Sequence, residues 1–245
     1  MDFDIVHLQE TDSTNRWMAE NGGERDMLAW TGFQTAGRGC GTNSWESERG
    51  KNLLFSVLYH PKNVPAAQQF ILSMANALAI KEALDEYTAD IMVKWPNDIY
   101  WHDRKLAGTL IETSLQGGNV KTCILGTGLN VNQTAFRSDA PNPVSLSQIL
   151  GHEVSCKELL LRIVQHLEDC LGMVESGQWA FVRKEYRACL YRRDGREHLF
   201  QRPQGAARLY VLKTVDDDGT LVLLRRDGKE EREERFGFKE IQFII

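Results

Sequence analysis

Four short segments carry side chains whose types and spacing suit the handling of anions. The first is Gly37-Arg38-Gly39, followed by Trp45. Glycines leave backbone N–H groups open, and such groups cradle a phosphate or a carboxylate. Arg38 adds a rigid donor fork, and Trp45 offers a face on which a purine can stack. The same residues also read as a glycine-rich surface loop with a core tryptophan. The second segment is Lys94-Trp95-Pro96-Asn97-Asp98. A lysine that ends an apolar strand sets an ammonium at a sheet edge, where ligands of α/β proteins bind. A plain strand-to-turn junction, with Asn and Asp as turn residues, is the alternative, but it leaves the lysine unexplained.

The third segment is Arg104-Lys105-Leu106-Ala107-Gly108. Lys105 opens the next strand soon after Lys94, so the two ammonium groups are expected beside one pocket. A solvated basic turn is the simpler alternative. The fourth is Gly126-Thr127-Gly128-Leu129-Asn130-Val131-Asn132. It has the glycines of a nucleotide loop but opens no helix, as a dinucleotide fingerprint would. Flat packing of a ligand against a glycine-bearing strand is expected instead.

These segments need a scaffold. Residues 3–8, 28–34, 52–59 and 91–95 read as strands, the third as a near-continuous apolar run. Thr11-Asp12-Ser13-Thr14-Asn15 leads into a short helix stopped by Gly22-Gly23. Residues 66–87 have helical apolar spacing and are expected to bury one face against a sheet. Strands over 106–115 and 120–132 are joined by Gln116-Gly117-Gly118-Asn119, a hairpin signal. A helix is predicted over 156–171, with Ser155 as N-cap and Glu158 completing a capping box, and another over 178–190. From about residue 200 the pattern changes to short strands with Asp218-Gly219 and Asp227-Gly228 turns. This reads as a small β-barrel or sandwich that leans on the rest of the chain. The expected division is 1–195 and 196–245.

A chain of 245 residues, 42% hydrophobic and 26% charged, suits a packed globular core. The formal net charge of -5 disfavours a nucleic-acid binder with a broad basic face. Five cysteines without a CxxC pair, and six histidines without ligand spacing, disfavour disulfide frameworks and zinc sites. The N-terminus shows no signal-peptide pattern, and no apolar run reaches the roughly 20 residues that span a bilayer. A cytoplasmic protein without membrane contact is expected.

Taken in order, Asp12-Ser13-Thr14-Asn15, Gln34-Thr35-Ala36-Gly37-Arg38-Gly39, Trp45, KWPND at 94–98, RKLAG at 104–108 and GTGLNVN at 126–132 resemble the biotin–protein ligase family. The resemblance covers roughly residues 5–135. It implies an α+β fold: a mixed sheet flanked by helices, like the catalytic domains of class II tRNA synthetases, with a small SH3-like C-terminal β-barrel. It also implies ATP and biotin as substrates with Mg2+, and a carrier lysine as acceptor. The carrier would be a biotin carboxyl carrier protein or domain of a carboxylase or decarboxylase. No nucleic-acid partner is expected, since the dozen residues before the first motif leave no room for a helix-turn-helix. A monofunctional monomer or homodimer is expected. A lipoate or octanoate ligase on the same fold, or a non-catalytic biotin-sensing module, are the alternatives.

Residue by residue, the resemblance assigns Ser13, Thr14 and Gln34 to biotin's ureido head, although Ser13 also reads as a plain N-cap. Asn15 and Gly37 join the biotin set, and Gly108, Leu110 and Gly126 line the bicyclic ring. Arg38 and Gly39 lie along the acyl-adenylate, and Lys105 holds the biotin carboxylate. Trp45 and Asn130 hold adenine, with Cys40 and Gly128 also near the nucleotide. Lys94 meets the phosphates, and Asn97 and Asp98 orient Mg2+ or the incoming amine. Asp98 would either position that amine or take its proton. One departure stands out. The family's loop usually continues with basic residues after the second glycine, whereas here it reads Cys40-Gly41-Thr42-Asn43-Ser44. Either the adenylate is held more weakly, or another basic residue compensates.

Overall fold

The computed structural model describes residues 3–138, 141–228 and 230–245. Two sheets organise them. The first is built from β1 (Asp4–Leu8), β2 (Met27–Thr31), β3 (Leu53–Tyr59), β4 (Ile91–Lys94), β5 (Asp98–Trp101), β6 (Arg104–Gln116) and β7 (Asn119–Leu129). Their order is β1-β2-β3-β7-β6-β5-β4. β1 and β2 run parallel, and the other neighbours are antiparallel, so the sheet is mixed as expected. All seven residues of β3 are buried, which fits its continuous apolar run and its central place. The β6–β7 hairpin closes through Gly117 and Gly118, both at positive φ (59° and 83°), the requirement of a two-residue turn that matches strand twist.

One face of this sheet carries α2 (Phe70–Asp85), entered through a 3-10 turn over Ala66–Gln68, with α4 (Cys156–Glu175) and α5 (Trp179–Ala188) packed on α2. The expectation that α2 buries a single face is corrected: Ile71 through Ile80 are all buried. The sheet covers one side of α2, and α4 and α5 cover much of the rest. In α4 the Ser155 hydroxyl accepts from Glu158 N–H at 3.3 Å, but among the described residues the Glu158 side chain returns no bond, so half of the expected capping box forms. A complete box forms instead at α3 (Leu146–Leu150), between Ser145 and Gln148. On the opposite face of the sheet lies α1 (Thr14–Asn21), whose Met18 packs with Ala29, Leu58 and Ile124.

The second sheet comprises β8 (Glu197–Gln201), β9 (Arg208–Val215), β10 (Leu221–Asp227), β11 (Glu230–Phe236) and β12 (Gln242–Phe243), in the order β11-β10-β9-β8-β12. It is antiparallel and fits the small SH3-like unit expected. Among the described residues β11 and β12 are its two ends, not partners closing a barrel. The Asp218-Gly219 turn forms, with Gly219 N–H on Asp216 O at 3.0 Å. The segment after Asp227-Gly228 includes Lys229, which lies outside the described residues.

Polar contacts lock this sheet to the rest. Arg183 and Arg187 both reach Asp217, at 3.2 and 2.8 Å. Arg187 Nε donates to Val215 O at 2.8 Å. Trp95 Nε1 donates to Gly219 O at 2.8 Å, so the KWPND turn is fixed from the C-terminal sheet. Among the described residues no helix is long and apolar enough to cross a membrane, and all five cysteines are free.

Candidate active site

Strand side chains alternate between faces, and the register of β6 on β7 decides which residues share the site. Leu110 stands opposite Gly126 and Gly108 opposite Gly128, while Ser56 and Leu54 of β3 flank the same two glycines. The intervening Thr109 and Thr127 face α2, where Thr109 Oγ1 accepts from Asn76 Nδ2 at 3.3 Å. The face away from α2 is therefore bare backbone at 126 and 128. Two side chains of the chain itself lie on it. A Cβ built on Gly126 would come 1.7 Å from Asn15 Oδ1, and one on Gly128 would come 2.3 Å from Trp45 Cε2. The close approach expected of a ligand is thus made first by Asn15 and Trp45.

Around Gly126 a polar network forms. Ser56 Oγ lies 2.6 Å from Asn15 Oδ1 and 2.7 Å from Thr14 Oγ1. Asn15 Nδ2 donates to Glu112 Oε2 at 2.8 Å and to Leu110 O at 3.3 Å. Gln34 Oε1 accepts from Thr14 N–H at 2.7 Å and from its hydroxyl at 3.0 Å. Ser13 occupies the N-cap position of α1, yet its hydroxyl makes no capping bond. Among the described residues neither that hydroxyl nor Gln34 Nε2 has a hydrogen-bond partner, so both are available to a ligand. Ser56 and Glu112 were not singled out from the sequence. Ser56 had a signal, as the one polar residue within LLFSVLY. Glu112 had none.

Around Gly128 the cations gather. Lys105 Nζ lies 2.9 Å from Asp98 Oδ2 and 5.9 Å from the Trp45 ring centroid. A Cβ on Gly108 would sit 3.0 Å from Lys105 Nζ and 3.2 Å from Asp98 Oδ1. Lys94 stands opposite Asp98 in the β4–β5 register. Its ammonium faces the rings of Tyr100 and Phe243, at 5.3 and 4.8 Å. Burial holds the Lys94 pKa below the usual lysine range; the charges of Lys105 and Arg192 push the same way, and Asp98 opposes them. The simple turn reading of 94–98 is corrected at one position, since Asp98 opens β5, a strand not predicted from the sequence. Asn97 stays in the turn without a side-chain bond among the described residues.

The 37–45 loop is a narrow reversal. Trp45 N–H bonds Gly37 O at 2.9 Å and Gly39 N–H bonds Asn43 O at 2.7 Å, which folds Trp45 back over Gly128. Its indole Nε1 is buried without a partner among the described residues. Arg38 Nη2 pairs with Glu112 Oε1 at 3.2 Å, linking this loop to the Asn15 network. Cys40 lies half-buried near the loop's tip. Asn130 donates from Nδ2 to Val144 O at 3.2 Å, which ties it to the segment before α3. Of the expected site residues, then, Thr14, Asn15, Gln34 and Leu110 gather at Gly126, and Trp45, Lys105, Asp98 and Gly108 gather at Gly128. Lys94 lies on the Phe243 side, and the side chains of Asn97, Cys40 and Asn130 touch neither group among the described residues. Glu112 joins the two groups.

A family model described as the biotin/lipoate A/B protein ligase family matches residues 7–130, so the chain belongs to that family. It is 35% identical over 176 residues to the bifunctional ligase/repressor BirA of Salmonella typhimurium, covering 70% of this chain and 55% of that protein. It is 29% identical to the biotin–[acetyl-CoA-carboxylase] ligase of Paracoccus denitrificans, covering 91% of this chain and 95% of that one. The chain spans about half the length of several of the curated relatives it matches. In fold it resembles the biotin protein ligase of Aquifex aeolicus in complex with biotin and ATP, with a TM-score of 0.79 and 24% identity over 98% of this chain and 97% of that one.

Proposed function

We propose that this chain activates biotin with ATP to biotinyl-5′-adenylate and transfers the biotinyl group to a lysine of a biotin carboxyl carrier protein or domain. The observation that carries this reading is the Gly128 cluster: Lys105, Asp98 and Trp45 converge over two facing glycines. The names of the relatives agree with it. The proposed machinery spans two units, 1–195 and 196–245, because Phe243 of the second borders Lys94 of the first.

The first step joins two anions. At about 4 Å, two like charges repel by roughly 4 kcal/mol at an effective dielectric near 20. Lys94, Lys105 and Arg38 offset that repulsion. A biotin carboxylate oxygen attacks the α-phosphorus, the bond to the bridging oxygen breaks, and pyrophosphate leaves in line. Ser13, Thr14, Asn15 and Gln34 bind the ureido head, for which the unused Ser13 hydroxyl and Gln34 Nε2 are suited. Gly37, Leu110 and Gly126 line the biotin side. Trp45 and Asn130 hold adenine, and the partnerless Trp45 Nε1 suits a ligand acceptor. Gly39, Cys40 and Gly128 border the nucleotide.

Asn97 and Asp98 would orient either the Mg2+ that accompanies the nucleotide, where it would supply positive charge to the phosphates, or the incoming amine. A single carboxylate with an unused amide fits an ion that is otherwise held by phosphate and water. In the second step the acceptor amine attacks the carbonyl of the mixed anhydride, and the C–O bond to AMP breaks. With Oδ2 on Lys105, Asp98 keeps Oδ1 for that amine, which favours positioning as its role. A cytoplasmic setting accords with the free cysteines.

The test is mass spectrometry of a carrier domain incubated with this protein, biotin and MgATP. The carrier should gain one biotinyl group on one lysine, with none gained when lipoate replaces biotin. An unchanged mass would refute the assignment.

Burial of Lys94 has a pH consequence. The activation step should lose rate on the alkaline side below the ordinary lysine range near 10.4, because Lys94 gives up its proton early. Lys94→Arg should lack that limb, since guanidinium stays charged. The folded pKa is depressed, so the sign for stability is opposite to that of a salt-bridged lysine. Folding gains as pH rises between the folded and unfolded values. A pH profile of kcat/KM for ATP in both proteins checks this; coincident alkaline limbs would count against it.

A further inference from the structure

The cations absent from the 40–44 stretch have a counterpart in the C-terminal sheet. Gly41 sits at φ +70°, and a Cβ built on it would lie 2.6 Å from Lys239 Nζ. Lys239 thus reaches from the turn between β11 and β12 to the tip of the 37–45 loop. That turn is fixed at several points. Gly237 N–H donates to Glu240 Oε2 at 2.7 Å, and Glu240 N–H to Gly237 O at 3.1 Å. Phe236 and Ile241 on either side are buried. The Phe238 ring packs edgewise on Trp95 of the KWPND turn, with centroids 6.2 Å apart. Lys239 itself takes a left-handed conformation, φ +69°, which a lysine rarely adopts without constraint from its surroundings.

Charge sharpens the point. Arg38, the loop's own cation, shares its charge with Glu112 and so offsets only part of a phosphate's. Lys239 has no carboxylate partner among the described residues; its ammonium faces only the Phe238 ring, at 5.8 Å. An exposed, unneutralised ammonium is therefore held against a glycine-bearing loop that borders the nucleotide side of the site.

We propose that Lys239 is a binding residue for the phosphate of the acyl-adenylate, supplied by the C-terminal sheet in place of loop arginines. This rests on the function proposed above. Release of preformed biotinyl-adenylate from the full chain tests it. Lys239→Asn keeps the left-handed turn, because asparagine tolerates that conformation, and it should release the adenylate about tenfold faster, the scale of one lost charge-assisted contact. Lys239→Arg should stay near wild type. Wild-type release should quicken with added salt, and the Asn variant should lose most of that dependence. Adding Cys40→Arg to Lys239→Asn should recover slow release. Equal release rates, or equal salt dependence, in wild type and Lys239→Asn would overturn the role of Lys239 while leaving the ligase reading intact. A wild type that forms no adenylate from biotin and MgATP would overturn both.

Discussion

Lys105→Met is expected to lower kcat/KM for biotin by about a hundredfold. Losing a hydrogen bond between charged groups costs about 1.5–3 kcal/mol. Lys105 and Asp98 are only 28% and 21% exposed, so the loss lies toward the upper end, and about 2.7 kcal/mol in the barrier is a hundredfold in rate. Two losses coincide. On the proposed function, the carboxylate of biotin would lose its cation, and Asp98 would lose the partner that holds its Oδ2. Because Lys105 also borders Trp45 at 5.9 Å, the KM for ATP should rise less, by a few-fold. Steady-state kinetics with each substrate varied separates these effects. Equal losses for biotin and ATP would show that Lys105 acts through the fold and not on the acid.

Gly126→Ala is expected to remove biotin binding while sparing nucleotide binding. The added methyl cannot coexist with Asn15, whose Oδ1 would be 1.7 Å away. Asn15 must swing out, giving up Glu112 and Leu110 O and leaving Ser56 buried without it. Breaking such a network costs about 2–4 kcal/mol of stability. Trp45 lies on Gly128, the next glycine along the face, so ATP affinity should change little. Asn15→Ala in the same chain removes the clashing amide. The double variant should regain much of the lost Tm but not the biotin affinity. Thermal denaturation and calorimetric titration with biotin decide the matter. Biotin affinity restored together with Tm would show that Asn15 is only a structural filler.

How much of this was legible in the sequence depends on the range of the interaction concerned. The apolar run of β3, the glycine pair that turns β6 into β7, and the capping serine of α4 are local signals, and each element formed where expected. Strand β5 was missed because four residues, Asp98–Trp101, are too few to show a period, and Asn97 before them reads as a turn. The all-round burial of α2 depends on α4 and α5, which lie far along the chain. At the site, Lys94, Lys105, Arg38 and Trp45 were visible because a charge or a large ring in a strand or glycine loop is conspicuous. Glu112 was not, since a glutamate in a long hairpin looks solvated until Arg38 and Asn15 are seen to reach it. Lys239 was the least visible. Only the docking of the C-terminal sheet, through Trp95 to Gly219 O and Arg187 to Val215 O, brings it to the loop.

The same contrast explains the glycines at 126 and 128. Their presence in a strand announced a close approach to the backbone, but not by what. The approach is made by Asn15 and Trp45, each delivered by a different preceding segment. A strand surface without side chains lets one amide and one indole lie flat on it.

The central claim is that an acid and a nucleotide meet over Gly108 and Gly128 beside Lys105. Isotope exchange between pyrophosphate and ATP, catalysed by the purified chain, tests it most directly. Exchange should require biotin, should not be supported by lipoate, and should fall by about a hundredfold in Lys105→Met. Exchange that proceeds without biotin, or that is unchanged in Lys105→Met, would contradict it.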